Sequence, residues 1–298
     1  MKILINRKPV NGPWGGGNLF LKSMYDYLPE YGCTLTNNLE ENIDIIFLMN
    51  PRADEKNISI NEAINYKFKN PNTAIVQRIN DCDARKNTND VDKMLLECSK
   101  YLDKTIFVSN WMQDYFLEKE WACKNNHILI NGVSEFENFS HKIENNKINI
   151  VTHHWSNNYL KGFDIYDKLD RWVSENNDFT FTYIGRHRNS FKNTKLIEPI
   201  HGIELIRELS KYDVYVSASR HDPGPNHILE SLNCNIPTYV HSDGGGAVEF
   251  AGSSHVYEDF EILKSILLKK SFVKNKNILY NWKTMIEKLY IILLKNRG

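Results

Sequence analysis

Short apolar runs of strand length occupy residues 2–6, 43–49, 73–79, 105–109 and 127–130. Between several of them lie segments whose apolar positions recur every three or four residues, at 19–28, 90–102 and 111–119. A period near 3.6 marks an amphipathic helix, whereas a short continuous apolar run marks a strand buried on both faces. Alternation of the two predicts a mostly parallel sheet covered by helices, because parallel neighbours need a crossover connection. The pattern breaks over residues 135–147, which are polar, rich in Asn and Lys and poorly periodic. It then resumes, with strands expected at 147–152, 179–184, 214–217, 237–240 and 256–257 and helices near 163–175, 203–209, 226–232 and 260–268. The chain reads as an α/β protein of two Rossmann-like domains, 1–136 and 148–276, joined by a linker at 137–147 and followed by a last amphipathic helix within 277–298. Two tandem units of this kind leave a cleft between them, and such sheets bind ligands beyond the carboxyl ends of their strands.

Composition narrows the function classes. A length of 298 residues suits two domains of ordinary size. Lys plus Arg and Asp plus Glu each total 37, so the formal charge is zero and no global basic field points to a nucleic-acid partner. Five cysteines, Cys33, Cys82, Cys98, Cys123 and Cys234, have neither the close pairing of a zinc site nor the even count of a disulfide framework, which favours a reducing cytoplasm. No stretch approaches the roughly 18 consecutive apolar residues of a membrane span, and Met1 leads straight into a strand pattern instead of a leader peptide. A soluble cytoplasmic protein is expected. Residues 278–294, apolar at helical spacing with lysines between, allow peripheral contact with the inner face of a membrane, although packing back on the body explains them more simply.

Candidate chemistry sits in loops that follow strands. In the segment from Arg220 to Gly252, Asp222 and Glu230 flank the turn Pro223-Gly224-Pro225, and a helix is expected to start at about Asn226. Its first backbone N–H groups and the positive end of its dipole offer a dock for a phosphate or a sugar hydroxyl. Near the amino terminus, Asn11-Gly12-Pro13-Trp14-Gly15-Gly16-Gly17-Asn18 opens a helix, and adjacent glycines let the backbone approach a phosphate closely. This loop is no dinucleotide fingerprint, because position 20 is Phe20. Nor is it a Walker loop, because Asn18 and Leu19 stand where Lys and Ser or Thr are required. Lys161-Gly162 follows the first strand of the second series, where a lysine can place a point charge beside a leaving diphosphate. His221, Asp222 and His227 lack the spacing of three ligands on one face, so no metal is expected.

Between Asp213 and Gly252 the sequence resembles the signature of glycosyltransferase family four, retaining sugar transferases of the two-domain GT-B fold, in which two Glu residues separated by seven positions bracket a loop of small residues. Here Asp222 replaces the first Glu, keeping the charge and losing one methylene of reach. The resemblance implies that Gly16 and Gly17 lie over the donor diphosphate and the acceptor, and that Lys161 stabilises the leaving diphosphate. Relatives carry an Arg before the Lys-Gly pair; His153, His154 and Trp155 occupy that region here, and Arg186, in Ile184-Gly185-Arg186, is the substitute cation. Gly202 and Ile203, in Pro199-Ile200-His201-Gly202-Ile203, would recognise the nucleobase through the backbone. Glu230 would accept the ribose hydroxyls, with Ser219, Gly224, Pro225, Asn226 and His227 completing the donor site. Where relatives place a sugar-contacting His, this chain offers Asn80 or Asp81.

Lys161, Asp222, Arg186 and Asp81 are thus the catalytic candidates, and Trp14, Asn80 and His154 the candidate acceptor or sugar contacts. Gly244-Gly245-Gly246 with Glu249 would shape the pocket floor. Ser109-Asn110-Trp111 and Asn131-Gly132-Val133 match structural positions, and Asn281-Trp282 with the closing helix resembles the element that crosses back to the first domain.

The activity implied is retaining, metal-independent transfer from a UDP-, GDP- or ADP-sugar to a glycan, glycolipid or other hydroxyl acceptor, as in polysaccharide biosynthesis, with no cofactor. The leaving phosphate takes the acceptor proton, so catalysis is mainly positioning and charge stabilisation. Two alternatives fit the same residues: a sugar-nucleotide-binding partner or regulatory subunit without turnover, and a sugar-nucleotide epimerase. A phosphorylase would need a pyridoxal-binding lysine pattern that is not apparent.

Overall fold

Every ladder among the described strands is parallel. Helices therefore have to cover both faces of each sheet, as the near-continuous apolar strands require. The computed structural model describes residues 1–12, 15–52, 57–134, 142–188, 190–276 and 279–295. The chain divides into two compact units, Met1–Gly132 with Tyr280–Gly298, and Val133–Leu279. The expected linker at 137–147 begins within residues 135–141, which lie outside the described ones.

The first unit runs β1 (Lys2–Ile5), α1 (Gly16–Tyr27), β2 (Thr34–Thr36), β3 (Ile45–Leu48), α2 (Ile60–Lys69), β4 (Ala74–Ile79), α3 (Asp83–Lys86), α4 (Val91–Ser99), β5 (Lys104–Phe107), α5 (Asn110–Leu117) and β6 (Asn126–Ile128). Its sheet has the order β2-β1-β3-β4-β5-β6, so the direction of winding reverses between β1 and β3. Alternate strand residues feed opposite faces. Ile3, Ile5 and Phe47 pack with Phe20 and Met24 of α1, while Leu4, Ile46 and Leu48 pack with Ala63 of α2 and Leu95 of α4. Helix α2 and edge strand β2 escape a reading of apolar periodicity. The signal for α2 is instead a capping box: Ser59 Oγ accepts from the Glu62 N–H while the Glu62 carboxylate accepts from the Ser59 N–H at 2.8 Å.

The second unit runs β7 (Ile148–His154), α6 (Phe163–Glu175), β8 (Phe179–Gly185), β9 (Lys195–Ile197), α7 (Gly202–Leu209), β10 (Val214–Ser217), α8 (Asn226–Asn233), β11 (Thr238–His241), α9 (Gly246–Ala251), β12 (Val256–Tyr257) and α10 (Phe260–Leu268). The sheet order β12-β11-β10-β7-β8-β9 is the doubly wound Rossmann arrangement, with its switch point between β7 and β10. Helices α6 and α10 have the bounds the periodicity predicts. The short outer strand β9, largely exposed, does not show in the apolar pattern.

The last helix, α11 (Trp282–Leu294), returns to the first unit. Asn281 caps it by accepting from the Thr284 N–H. Met285, Ile286, Leu289 and Leu293 then join the core cluster of α1 and β1. The buried Lys104 ammonium bonds the Ile292 carbonyl near the helix C-terminus, where the dipole favours a cation. Among the described residues no helix is long and apolar enough to cross a membrane.

This packing predicts an asymmetry along α11. Leu289 has no exposed surface, so Leu289→Ala should lower unfolding free energy in urea by about 2–5 kcal/mol. Ile291 is 46% exposed, and Ile291→Ala should change it by no more than about 0.5 kcal/mol. Equal losses from both would show that α11 does not dock by this face.

Candidate active site

In the second unit the loops after β7 and β10 bracket the switch point, and the best-connected charges of the candidate site meet there. The turn Tyr159–Lys161 is followed by Gly162 at φ +92°. A Cβ at this position would overlap the Ala218 carbonyl, so glycine alone lets this turn lie against the end of β10. Lys161 Nζ then lies 2.5 Å from Asp222 Oδ2 and 3.4 Å from Ser219 Oγ. The side chains of Lys161 and Asp222 are only 15% and 7% exposed. Arg220 braces the loop from the other side: its guanidinium makes a two-pronged pair with Asp164 of α6 at 2.8 and 2.7 Å, and its N–H bonds the Leu160 carbonyl.

The backbone of Asp222 is fixed as well. It forms an isolated parallel bridge to Gly245, with the Gly246 N–H donating to the Asp222 carbonyl at 2.9 Å. Gly245 has φ +65°, and a Cβ there would approach the Asp222 backbone within 3.0 Å. The glycine run at 244–246 is thus a seat for the acidic loop. Helix α8 starts at Asn226 with Pro225 at its N-cap and no side chain capping that end. Glu230, one turn in, accepts from His153 Nε2 at 2.8 Å.

Beneath these charges lies a buried histidine layer. His154, 2% exposed, sets Nε2 2.7 Å from the Tyr166 hydroxyl, and its ring meets His227 edge to face at 4.6 Å. His227 Nε2 lies 2.9 Å from Ser217 Oγ. Burial, the neighbouring His227 and the Lys161 cation hold the His154 pKa well below the ordinary histidine value, with His153 acting the same way and Asp222 opposing. Burial, then Lys161 and His153, do the same to His227. Both rings are neutral at pH 7 and leave Lys161 with Asp222 as the charged pair of the layer above.

The remaining sequence candidates fall into distinct places. Lys161, Ser219 and Asp222 come together. Gly224, Pro225, Asn226 and His227 form the turn and first residues of α8. The His154 side chain, expected as a sugar contact, is enclosed by Tyr166, Tyr183 and His227. Arg186 is exposed after β8 and lies 4.0 Å over the Trp155 ring. Gly202 and Ile203 open α7 at the surface. Trp14 lies outside the described residues.

Gly16, Gly17, Asn80 and Asp81 belong to the first unit, where they share one pocket of about 420 Å³ at the carboxyl ends of β1, β3 and β4. Asn18 secures the glycine loop there, accepting from the Val10 N–H and donating to its carbonyl. Asp81 pairs with Lys86 and Arg85 at 3.0 and 3.4 Å. Two residues that sequence reasoning did not assign stand out: His153, which holds Glu230, and Arg78, which lines the first unit's pocket. The signal for Arg78 is a cation inside a largely apolar strand.

The two neutral histidines predict a pH dependence. Their pKa values are lowered on folding, so the unfolded chain binds the protons more readily. Their contribution is complete above the ordinary histidine value of 6.5 and is lost as pH falls below it. Unfolding free energy should drop by up to about 1.4 kcal/mol per histidine for each unit below that value. The His227→Asn variant should show a flatter profile between pH 7 and pH 5 in urea titrations, and an unchanged slope would mean His227 is not held neutral.

No protein-family profile matches this sequence, and no curated protein matches it significantly. Solved structures match it in fold. Anabaena Alr3699/HepE in complex with UDP is similar at TM-score 0.72 and 13% identity, over 99% of this chain and 100% of that one. Sucrose-phosphate synthase from Thermosynechococcus elongatus is similar at TM-score 0.68 and 12% identity, over 99% of each chain. The pneumococcal O-GlcNAc transferase GtfA in complex with UDP and GlcNAc is similar at TM-score 0.63 and 10% identity, over 84% of this chain and 56% of that longer one. With two parallel, helix-covered sheets and a last helix returned to the first, the chain has the α/β fold of the GT-B glycosyltransferases.

Proposed function

We propose that this protein is a retaining glycosyltransferase that moves a sugar from a nucleotide-diphosphate sugar to a glycan, glycolipid or other hydroxyl acceptor in the cytoplasm. The observation that carries this reading is the Lys161 ammonium, held 2.5 Å from Asp222 at the switch point of a Rossmann-ordered sheet. A cation in that position faces the region where such sheets take ligands, and low exposure strengthens its field. The UDP bound to HepE and to GtfA supports a uridine diphosphate donor.

In this reading the bond from the anomeric carbon to the diphosphate oxygen breaks with both electrons going to phosphate. The acceptor oxygen bonds the same face of that carbon, and its proton passes to the departing phosphate. No strong base is needed, and the work is stabilising charge on the leaving group. Lys161 supplies that stabilisation, with Arg186 and the N-terminus of α8 adding positive potential in place of a metal ion. Asp222 keeps Lys161 oriented; its short carboxylate suits contact with the ammonium. Glu230 accepts the ribose hydroxyls, with His153 fixing its rotamer, and the start of α7 at Gly202 and Ile203 lies against the base.

Three measurements check this. UDP should raise the melting temperature more than GDP or ADP does, because a ligand at 100 times its Kd adds about 2.7 kcal/mol to the native state. Lys161→Ala should lower kcat/KM for turnover of the UDP-sugar by about 100- to 1000-fold, and Glu230→Gln should weaken UDP by about tenfold. Normal turnover by both variants would sink the proposal; UDP binding without turnover over a broad acceptor panel would favour a non-catalytic binder, and a new sugar formed without acceptor would favour an epimerase.

A further inference from the structure

The pocket of the first unit is lined by an excess of cations, and its chemistry bears on the acceptor. Among its described lining residues stand the cations Arg7, Lys8, Arg52, Arg78, Arg85 and Lys86, against the single carboxylate of Asp81. Asp81 already pairs with Arg85 and Lys86. Its volume of about 420 Å³ falls in the range of small-molecule sites.

Arg78 is the informative member. It is 2% exposed, near the end of β4. Its Nη2 donates to Asn131 Oδ1 at 2.7 Å and its guanidinium lies 4.3 Å over the Phe20 ring. Nε and Nη1 are buried with no hydrogen-bond partner among the described residues. Burial, with the Arg85 cation nearby, pulls its pKa down to about 9, so it stays charged at pH 7. A buried cation with neither a carboxylate nor full hydrogen bonding is costly, and the ring face offsets only part of that cost. The Gln77 Oε1 atom is also buried with no hydrogen-bond partner among the described residues, but its side chain leaves β4 on the opposite face from Arg78, so Arg78 alone marks the anion-binding face. The N-terminus of α1, whose N-cap residue Gly15 has no side chain to cap it, opens into the same pocket.

We propose that this pocket takes an oxyanion of the acceptor, a phosphate or carboxylate, so that the acceptor substrate is anionic. This rests on the reading of the second unit as the donor side. Arg78 contributes the N–H donors of its two open nitrogens, Nε and Nη1, the α1 N-terminus contributes backbone N–H groups, and Lys8 and Arg52 at the exposed rim steer the charge inward.

Calorimetric titration of the whole chain tests it, with glucose 6-phosphate and glucuronate as charged probes, glucose as the neutral control, and UDP saturating throughout. At least one charged probe should bind saturably while glucose does not. Arg78→Gln should weaken that probe by about tenfold or more, the scale of one charge-assisted hydrogen bond, while changing UDP affinity less than about threefold. Because Arg78 also carries Phe20 and Asn131, the rim double variant Lys8→Gln/Arg52→Gln gives a second readout: a several-fold loss of the same probe and a shallower salt dependence, on the order of a screened pair of charges.

Sedimentation with phosphatidylcholine vesicles doped with phosphatidic acid separates the sources. Pelleting that depends on Arg78 assigns the oxyanion to a lipid, and probe binding without pelleting assigns it to a soluble acceptor. No binding of either charged probe or of the vesicles, or loss of UDP affinity in Arg78→Gln, would overturn the proposal, the latter giving the pocket to the donor diphosphate. Charged probes that bind a chain unable to bind UDP would remove the donor reading alone.

Discussion

Lys161 and Asp222, 2.5 Å apart and largely shielded from water, form an ion pair that constrains the whole second unit around it. Removing two charges from water costs several kcal/mol per ion unless geometry and further hydrogen bonds compensate. Here the support is built from close backbone contacts and a second ion pair. Gly162 lets the lysine turn lie on Ala218, Gly245 bridges to Asp222, and Arg220 ties the acidic loop to Asp164 of α6. Burial holds two imidazoles, His154 and His227, neutral, and the Lys161 cation acts in the same direction. A pair this costly and this well supported fits a functional role better than a stabilising one, because an apolar pair of similar volume would hold the loop with less penalty.

Parallel strands gather the loops that carry such chemistry. With every described ladder parallel, the carboxyl ends of the strands share one side of each sheet, and the reversal of winding opens a gap between two neighbours. In the second unit that gap lies between β7 and β10 and holds His153, Lys161 and Ser219; in the first it lies between β1 and β3 and holds the glycine loop, Asn50 and Arg52. Both sites are cationic beside a helix N-terminus whose N-cap residue, Gly15 or Pro225, supplies no side-chain cap. The difference is in the pairing. Lys161 has a carboxylate, whereas Arg78, among the described residues, meets only an amide oxygen and an aromatic face.

Much of the fold was legible from periodicity. The buried strands of both sheets and helices α6, α7, α8 and α10 follow the apolar pattern within one or two residues, because in this architecture burial on both faces writes itself into strand composition. The edges were not legible: β2 and β9 are short and partly exposed, so they carry little apolar signal. Helix α2 was written in its capping box, not its stripe. In the site, Lys161, Asp222 and Ser219 were named from strand-end position and family resemblance, and their meeting depends on glycines at 162 and 245 whose φ no composition reveals. The link from His153 to Glu230 spans 77 positions and has no local signature. Arg78 was visible as a charge within an apolar strand, but its unsatisfied donors exist only once the strand is buried.

A crystal structure of the protein with UDP bound addresses the donor role of Lys161 most directly. The diphosphate is predicted to lie at the carboxyl ends of β7 and β10, with an oxygen of its terminal phosphate within about 3 Å of Lys161 Nζ, the distance of a charge-assisted hydrogen bond, and the ribose hydroxyls on Glu230. UDP seated elsewhere, with Lys161 still bonded only to Asp222 and Ser219, would contradict that role.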